Sequence, residues 1–158
     1  MFTVQLEHQR LQETLRTIEW AVGDLSRLMR GIAAELASQT EENFEEQGRP
    51  DWQPLSDATT ERRTKSGTWP GQMLQVSAGG LAASITTQSD DSSALVGSNN
   101  PYAAMMQFGG SKSDFPHLWG DIPGREYLPM DADGQLQPEA EEAILDLAMD
   151  NLKRAARL

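Results

Sequence analysis

Two imidazoles and a surplus of carboxylates are the side chains of this chain that could do chemistry, so they are read first. Nucleophilic catalysis needs a base beside a Ser or Cys. Imidazole metal sites want His residues on one helix face or joined by Cys. The chain has no Cys, His8 stands at the start of a polar helical segment, and His117 follows Pro116 in a loop. Neither pattern is present. Glu41, Glu42, Glu45 and Glu46 read as a solvated acidic face near a helix end. Asp131-Ala132-Asp133-Gly134 has the opening of a calcium loop but lacks the next ligand before the Gly, so it reads as a turn. Asp90-Asp91 is a hairpin turn. Gly79-Gly80 and Gly109-Gly110 are pairs and not a phosphate-cradling loop. The basic cluster Arg62-Arg63-Thr64-Lys65 is the one candidate for phosphate contact. Asp57 and Glu61 dilute it, which favours a partner-facing loop or a solvated helix face. Trp52, Trp69 and Trp119 lie in loops near Pro or Gly, where an aromatic ring anchors either its own core or a partner. The expectation is no catalytic, cofactor-binding or metal-ligating residue.

The elements around these residues follow from periodicity. Leu11, Leu15, Ile18, Val22, Leu25, Met29, Ile32 and Leu36 step by four and three, one stripe of a helix. The stripe keeps phase through Gly23-Asp24, which fits one long helix. Gly23 can also end a first helix, with Asp24 or Ser26 capping a second, and we favour the break. The helix runs on through Glu46 and stops at Gly48, before Pro50. Residues 48–80, rich in Gly, Pro, Ser and Thr, read as a long irregular arm with a short helix at Ser56–Lys65. Leu81–Gln88 and Ser93–Ser98 form a predicted hairpin. Tyr102–Phe108 is one or two helical turns, 111–125 is loop, and Glu126–Met130 is a last, edge-type strand because of Pro129. A helix returns over Pro138–Arg157. Pro138 and the early Glu residues suit its start, and Lys153, Arg154 and Arg157 suit its end. Its apolar face carries Ile144, Leu147 or Ala148, and Leu152.

The chain of 158 residues is the size of one ordinary domain, with parts 1–47 (helical), 48–80 (arm), 81–130 (β-rich) and 138–157 (helix). The net charge is −11, spread along the chain with no basic arm. Sequence-independent DNA binding needs Lys and Arg against phosphates, so the balance argues against it. Met1–Glu7 lacks the basic and apolar regions of a signal peptide, and no apolar run approaches about 18 residues. Synthesis in a cytoplasm, without a membrane partner, is expected.

Four segments in order resemble the phage virion morphogenesis (tail completion) family of Mu-like and P2-like phages. They are Asp51-Trp52-Gln53-Pro54-Leu55-Ser56 with Thr59; Leu74–Ile85, containing Gly80-Leu81 and Ser84-Ile85; Val96-Gly97-Ser98-Asn99 with Tyr102-Ala103 and Gln107-Phe108-Gly109-Gly110; and Ile122-Pro123-Gly124-Arg125-Glu126-Tyr127-Leu128. Met106 stands where the family usually has His, Gly124 where it has Ala and Glu126 where it has Pro. The segments around Ser77–Gly80 carry extra residues. The resemblance implies an α+β fold, a small antiparallel sheet flanked by N-terminal helices and a C-terminal helix. It also implies a non-catalytic virion component, a tail terminator or neck protein that forms a ring, expected to be hexameric. Its partners would be copies of itself, the tail tube and neck or connector proteins, with DNA passing through the lumen without sequence-specific binding. Trp52, Arg62, Arg63, Lys65, Trp69, Trp119 and Arg125 are then interface candidates, and Arg125 is expected in an inter-subunit ion pair. Pro54, Leu55, Ser56, Leu81, Ser84, Ile85, Gly97, Tyr102, Gln107, Phe108, Gly109, Pro123 and Leu128 would hold the fold.

Overall fold

The stripe folds as two helices, α1 over Gln9–Val22 and α2 over Ser26–Glu45, in a computed structural model that describes residues 9–156. His8, Arg157 and the side chain of Val22 lie outside the described residues. The break is at Gly23, whose φ of +75° is cheap only without a Cβ. The Asp24 carboxylate then accepts from the Ser26 N–H at 2.9 Å, satisfying one orphan donor of the new helix. Those hydrogen bonds hold Asp24 below the usual carboxylate range. The final helix, which we label α5, covers Pro138–Ala156 and packs against both α1 and α2. Ile18, Leu25, Leu28, Met29, Ile32 and Leu36 are buried with Ala140, Ile144 and Ala148 of α5. Each large aliphatic side chain so buried contributes about 1.5–3 kcal/mol. Ala148, with no exposed surface, is the deep residue of its turn, and Leu147 and Leu152 flank the core half-buried.

The expected hairpin forms from β1, Ile85–Ser89, and β2, Ala94–Ser98, in register Ile85↔Ser98 to Ser89↔Ala94. Ala82–Ser84, expected as strand, is a 3₁₀ turn. The Ser84 hydroxyl donates to Leu81 O within that turn and pairs with the Ser98 hydroxyl across the hairpin. At the hairpin turn the Asp90 carboxylate accepts from the N–H groups of Ser92 and Ser93 at 2.8 and 2.6 Å, which pulls its pKa down. The hairpin lies on α2. In chain order α3, Asp57–Lys65, comes between α2 and the hairpin, and the Ser56 hydroxyl caps it by accepting from Thr59 N. After the hairpin comes α4, Ala103–Phe108.

Two further features differ from expectation. Gly109–Gly110 (β3) pairs antiparallel with Ile122–Pro123 (β4), a two-residue ladder that Gly and Pro give no propensity reason to expect. Residues 126–130 are not a strand; Met130 makes one bridge, to Leu136. Their partner is a side chain. The fully buried Gln107 amide accepts from Leu128 N at 3.0 Å and donates to Met130 O at 3.1 Å. The Tyr127 hydroxyl donates to Ala103 O at 3.2 Å, so α4 holds this segment from several points. The fold is α+β, with its antiparallel sheet in two separate two-stranded pieces.

A polar hub joins the end of α2 to the start of α5. Asn43, fully buried, donates to Tyr127 O at 3.2 Å and to Gln137 Oε1 at 2.9 Å. Arg49 donates from Nε to Asn43 Oδ1 at 2.8 Å, from Nη1 to Glu42 at 2.7 Å, and from Nη2 to the Gln39 carbonyl and side chain, both at 2.9 Å. Gln137 closes the circuit by donating to Arg49 O at 2.8 Å.

Candidate functional site

The irregular arm is anchored before it reaches the surface. Trp52 is buried in its own core, edge-on to Phe44 with centroids 6.0 Å apart, and Phe44 stacks on Tyr127 at 5.5 Å. Its indole N–H donates to Glu126 O at 3.2 Å. Arg125 closes over the arm from the other side. Its guanidinium donates to Gln53 O at 3.2 and 3.0 Å and to Pro54 O at 3.4 Å. Within its own chain, Arg125, the residue expected in an inter-subunit ion pair, turns its guanidinium onto backbone carbonyls. It is buried. Burial pulls its pKa below the ordinary arginine value, yet a guanidinium keeps its charge at neutral pH. Arg63 behaves alike: one Nη donates to Thr68 O at 2.9 Å and Gln72 O at 3.1 Å, with Trp69 over its face at 5.2 Å. Its buried Nε has no hydrogen-bond partner.

Between these anchors lies an open groove of about 720 Å³. One wall is the start of the arm, Pro54, Leu55 and Ser56 with Thr59. Another is Leu74, Val76, Gly80 and Leu81; the remaining walls are Tyr102 with Met106, and Ile122, Pro123 and Arg125. Leu74 is held at φ +61°, a costly conformation for a branched side chain, and strain of this kind collects at functional sites. Arg62 and Arg63 line the groove from α3, against Asp121 as its one carboxylate. Apolar side chains stand open here: Val76 is 55% exposed and Tyr102 45%. All four sequence segments that carry the family resemblance thus contribute to one groove, although they are spread over residues 51–128. The model of the phage virion morphogenesis family matches residues 6–153. This chain belongs to that family.

Two relatives extend the match over nearly the whole length. The putative capsid assembly protein G of Escherichia phage Mu is 35% identical over 158 residues, covering 98% of this chain and 96% of the relative. The Mu-like prophage FluMu G protein 2 of Haemophilus influenzae is 33% identical over 142 residues, 90% and 88% of the two chains. No solved structure matches.

Other residues of this virion morphogenesis protein stand behind the groove or away from it. Gln107 and Leu128 are buried behind its wall; Met106, in place of the family's His, lines it and accepts Arg125 N through its carbonyl at 2.7 Å. Gly109 sits at φ +71°, and a Cβ there would come within 2.5 Å of Gly124 N and Ile122 O, so only glycine fits this crossing. Gly97 pairs with Thr86 in the hairpin, which Ile85 opens. Phe108 is half-exposed, Lys65 is exposed on α3 outside the groove lining, and Trp119 is wholly exposed at 101%. His117 is exposed, edge-on to Phe115 at 6.2 Å. Sequence reading gave Val76 no role of its own although it lies within the second family segment, and it missed Asp121, Asn43 and Arg49. Among the described residues no group of three or more His, Cys, Asp or Glu is placed to hold a metal ion, and no helix is long and apolar enough to cross a membrane.

Glu126 backs onto the acidic turn. Burial raises its pKa, the hydrogen bond from Ala132 N at 3.0 Å lowers it, and the charges of Asp131 and Asp133 raise it again. A carboxyl whose folded pKa exceeds its unfolded one destabilises the fold when ionised. That cost is full above the folded pKa and vanishes below the unfolded one. Glu126→Gln is therefore expected to raise Tm by roughly 1–3 °C at neutral pH and to leave it unchanged near pH 4, a small effect for a partly exposed group. Calorimetry at the two pH values checks this.

Proposed function

We propose that this chain is a non-enzymatic subunit of a ring that completes the phage tail where it meets the head. The observation that carries the reading is the convergence of the four family segments on one open, apolar and cationic groove. Their side chains present shape and charge, the currency of a protein interface. A ring needs one patch of each copy to meet a different patch of the next, with a rotation that closes. The groove supplies the concave patch. Six copies is the number we expect, with the tail tube and a connector above and below. A net charge of −11 per copy also favours a lumen through which DNA slides without adhering.

A phage lacking this gene should make heads and tails that do not join, and the wild-type protein should be found at the tail–head junction by electron cryomicroscopy of finished particles. Normal joined particles from the deletion phage would refute the reading. A head-side role, as stopper or adaptor of the neck, is the second reading, favoured by the Mu relative's description as a capsid assembly protein. Deletion separates the two: loss of a tail terminator leaves tails of irregular length, whereas loss of a head-side part leaves normal tails and leaking heads. A DNA-contacting role predicts a salt-sensitive DNA shift that disappears when Arg62, Arg63 and Lys65 are replaced.

A further inference from the structure

We propose that the groove receives a second copy of this chain, through the loop at 111–121 that joins β3 to β4, with Trp119 seated among the apolar walls. The inference deepens the ring reading above and rests on it.

Three observations point to this occupant. Trp119 is 101% exposed, so in the free chain it does not fill its own groove. A large ring held in water beside an open apolar groove is the usual form of an interface anchor. The loop that carries it is already shaped. The Ser111 hydroxyl donates to Asp114 at 2.6 Å, Lys112 N to Asp121 at 2.7 Å, Phe115 N to Ser111 O and Leu118 N to Phe115 O, both at 3.0 Å. A preformed loop loses little further freedom on docking. Charge completes the match. Arg62, Arg63 and Arg125 converge on the groove of a chain whose net charge is −11, so the groove selects an acidic occupant. The loop offers the Asp114 carboxylate beyond its root, while Asp121 stays at the root, in the lining of its own groove.

Nucleic acid fits less well. Arg63 and Arg125 are buried with their forks on backbone carbonyls, so they supply field to the groove without a guanidinium free to clamp a phosphate. The apolar walls, Leu55, Val76 and Ile122 among them, ask for a side chain. Because Asp121 and Ile122 belong both to the root of the loop and to the groove lining, each copy carries donor and acceptor parts side by side. Repetition of the contact then links copies in series.

The chain has no Cys, which gives a clean test. Val76 is exposed in the groove, and a Cβ at Gly120, next to Trp119, would meet nothing within 4 Å. Mild oxidation of particles carrying Val76→Cys with Gly120→Cys should give a ladder of disulfide-linked multimers, and neither single variant should pass a dimer. In purified protein, Trp119→Ala should raise the concentration needed for half-assembly about 100-fold, as loss of an interface anchor does. Asp114→Arg should weaken assembly, and adding Arg62→Glu should restore it. Particles that hold the protein but yield only monomer overturn the loop-in-groove contact and leave the ring reading standing. A crosslink from position 76 to a different virion protein assigns the groove to that partner and overturns it too. So does a Trp119→Ala chain that assembles like wild type. Joined particles that lack the protein altogether overturn the tail reading itself.

Discussion

Asn43→Leu is expected to destabilise the protein by about 3–5 kcal/mol, the largest loss of any single substitution considered. The new side chain has as many heavy atoms as the old, so no cavity explains the loss, and its two methyl groups add some crowding at this fully buried site. It strands three groups instead. The Tyr127 carbonyl and Gln137 Oε1 lose their donor, and Arg49 Nε loses its acceptor. Each buried group left without a partner costs about 1–3 kcal/mol. Arg49 recovers part of this because it still reaches Glu42 and Gln39. Urea unfolding should show the loss as a lower midpoint at unchanged slope, and calorimetry as a fall in Tm of roughly 10 °C. A midpoint within error of wild type would mean that the hub is ornamental to stability.

Gln107→Leu is expected to cost about 2–4 kcal/mol by the same physics at a second place. Here the stranded groups are the Leu128 N–H and the Met130 carbonyl. Gln107→Glu separates hydrogen bonding from packing. Protonated, the carboxyl can still accept from one group and donate to the other; ionised, it sets a buried charge against the Met130 carbonyl. Its folded pKa should therefore lie above the unfolded one, so its penalty is full at high pH and shrinks as pH falls through that folded value. Asn43 and Gln107 grip neighbouring residues of one segment. The double variant Asn43→Leu/Gln107→Leu should then lose less than the sum of the singles, since the segment released by one has less left to lose from the other.

Much of the frame was legible because it is written in local pattern. The apolar stripe gives α1 and α2, Gly23 gives their break, Ser56 gives the start of α3, and Pro138 with its acidic neighbours gives the start of α5. What stayed hidden is bonded across long stretches of chain. Asn43 finds its acceptors 84 and 94 residues away, and nothing near it in sequence marks it as different from any polar residue at a helix end. Residues 126–130 look like a strand because their types suit one, yet the missing ladder partner is an amide on α4. Arg125 shows its charge in the sequence but not its partners. A loop arginine beside acidic neighbours invites an ion pair, and only the folded arm reveals the carbonyls of Gln53 and Pro54 within reach. The groove was present as four separate motifs, and their convergence is a property of the fold alone.

The side-chain grip on residues 125–130 has a kinetic reading. Amide protons in a strand ladder exchange with solvent when the ladder frays from its end, one pair after another. The Leu128 amide has no such ladder; it is shielded by Gln107, and the Arg125 amide by Met106 O, both on α4. These amides should exchange together, in a single sub-global opening in which the short helix and the groove wall come away as one unit. An occupant of the groove would then slow deuterium uptake at positions it never touches.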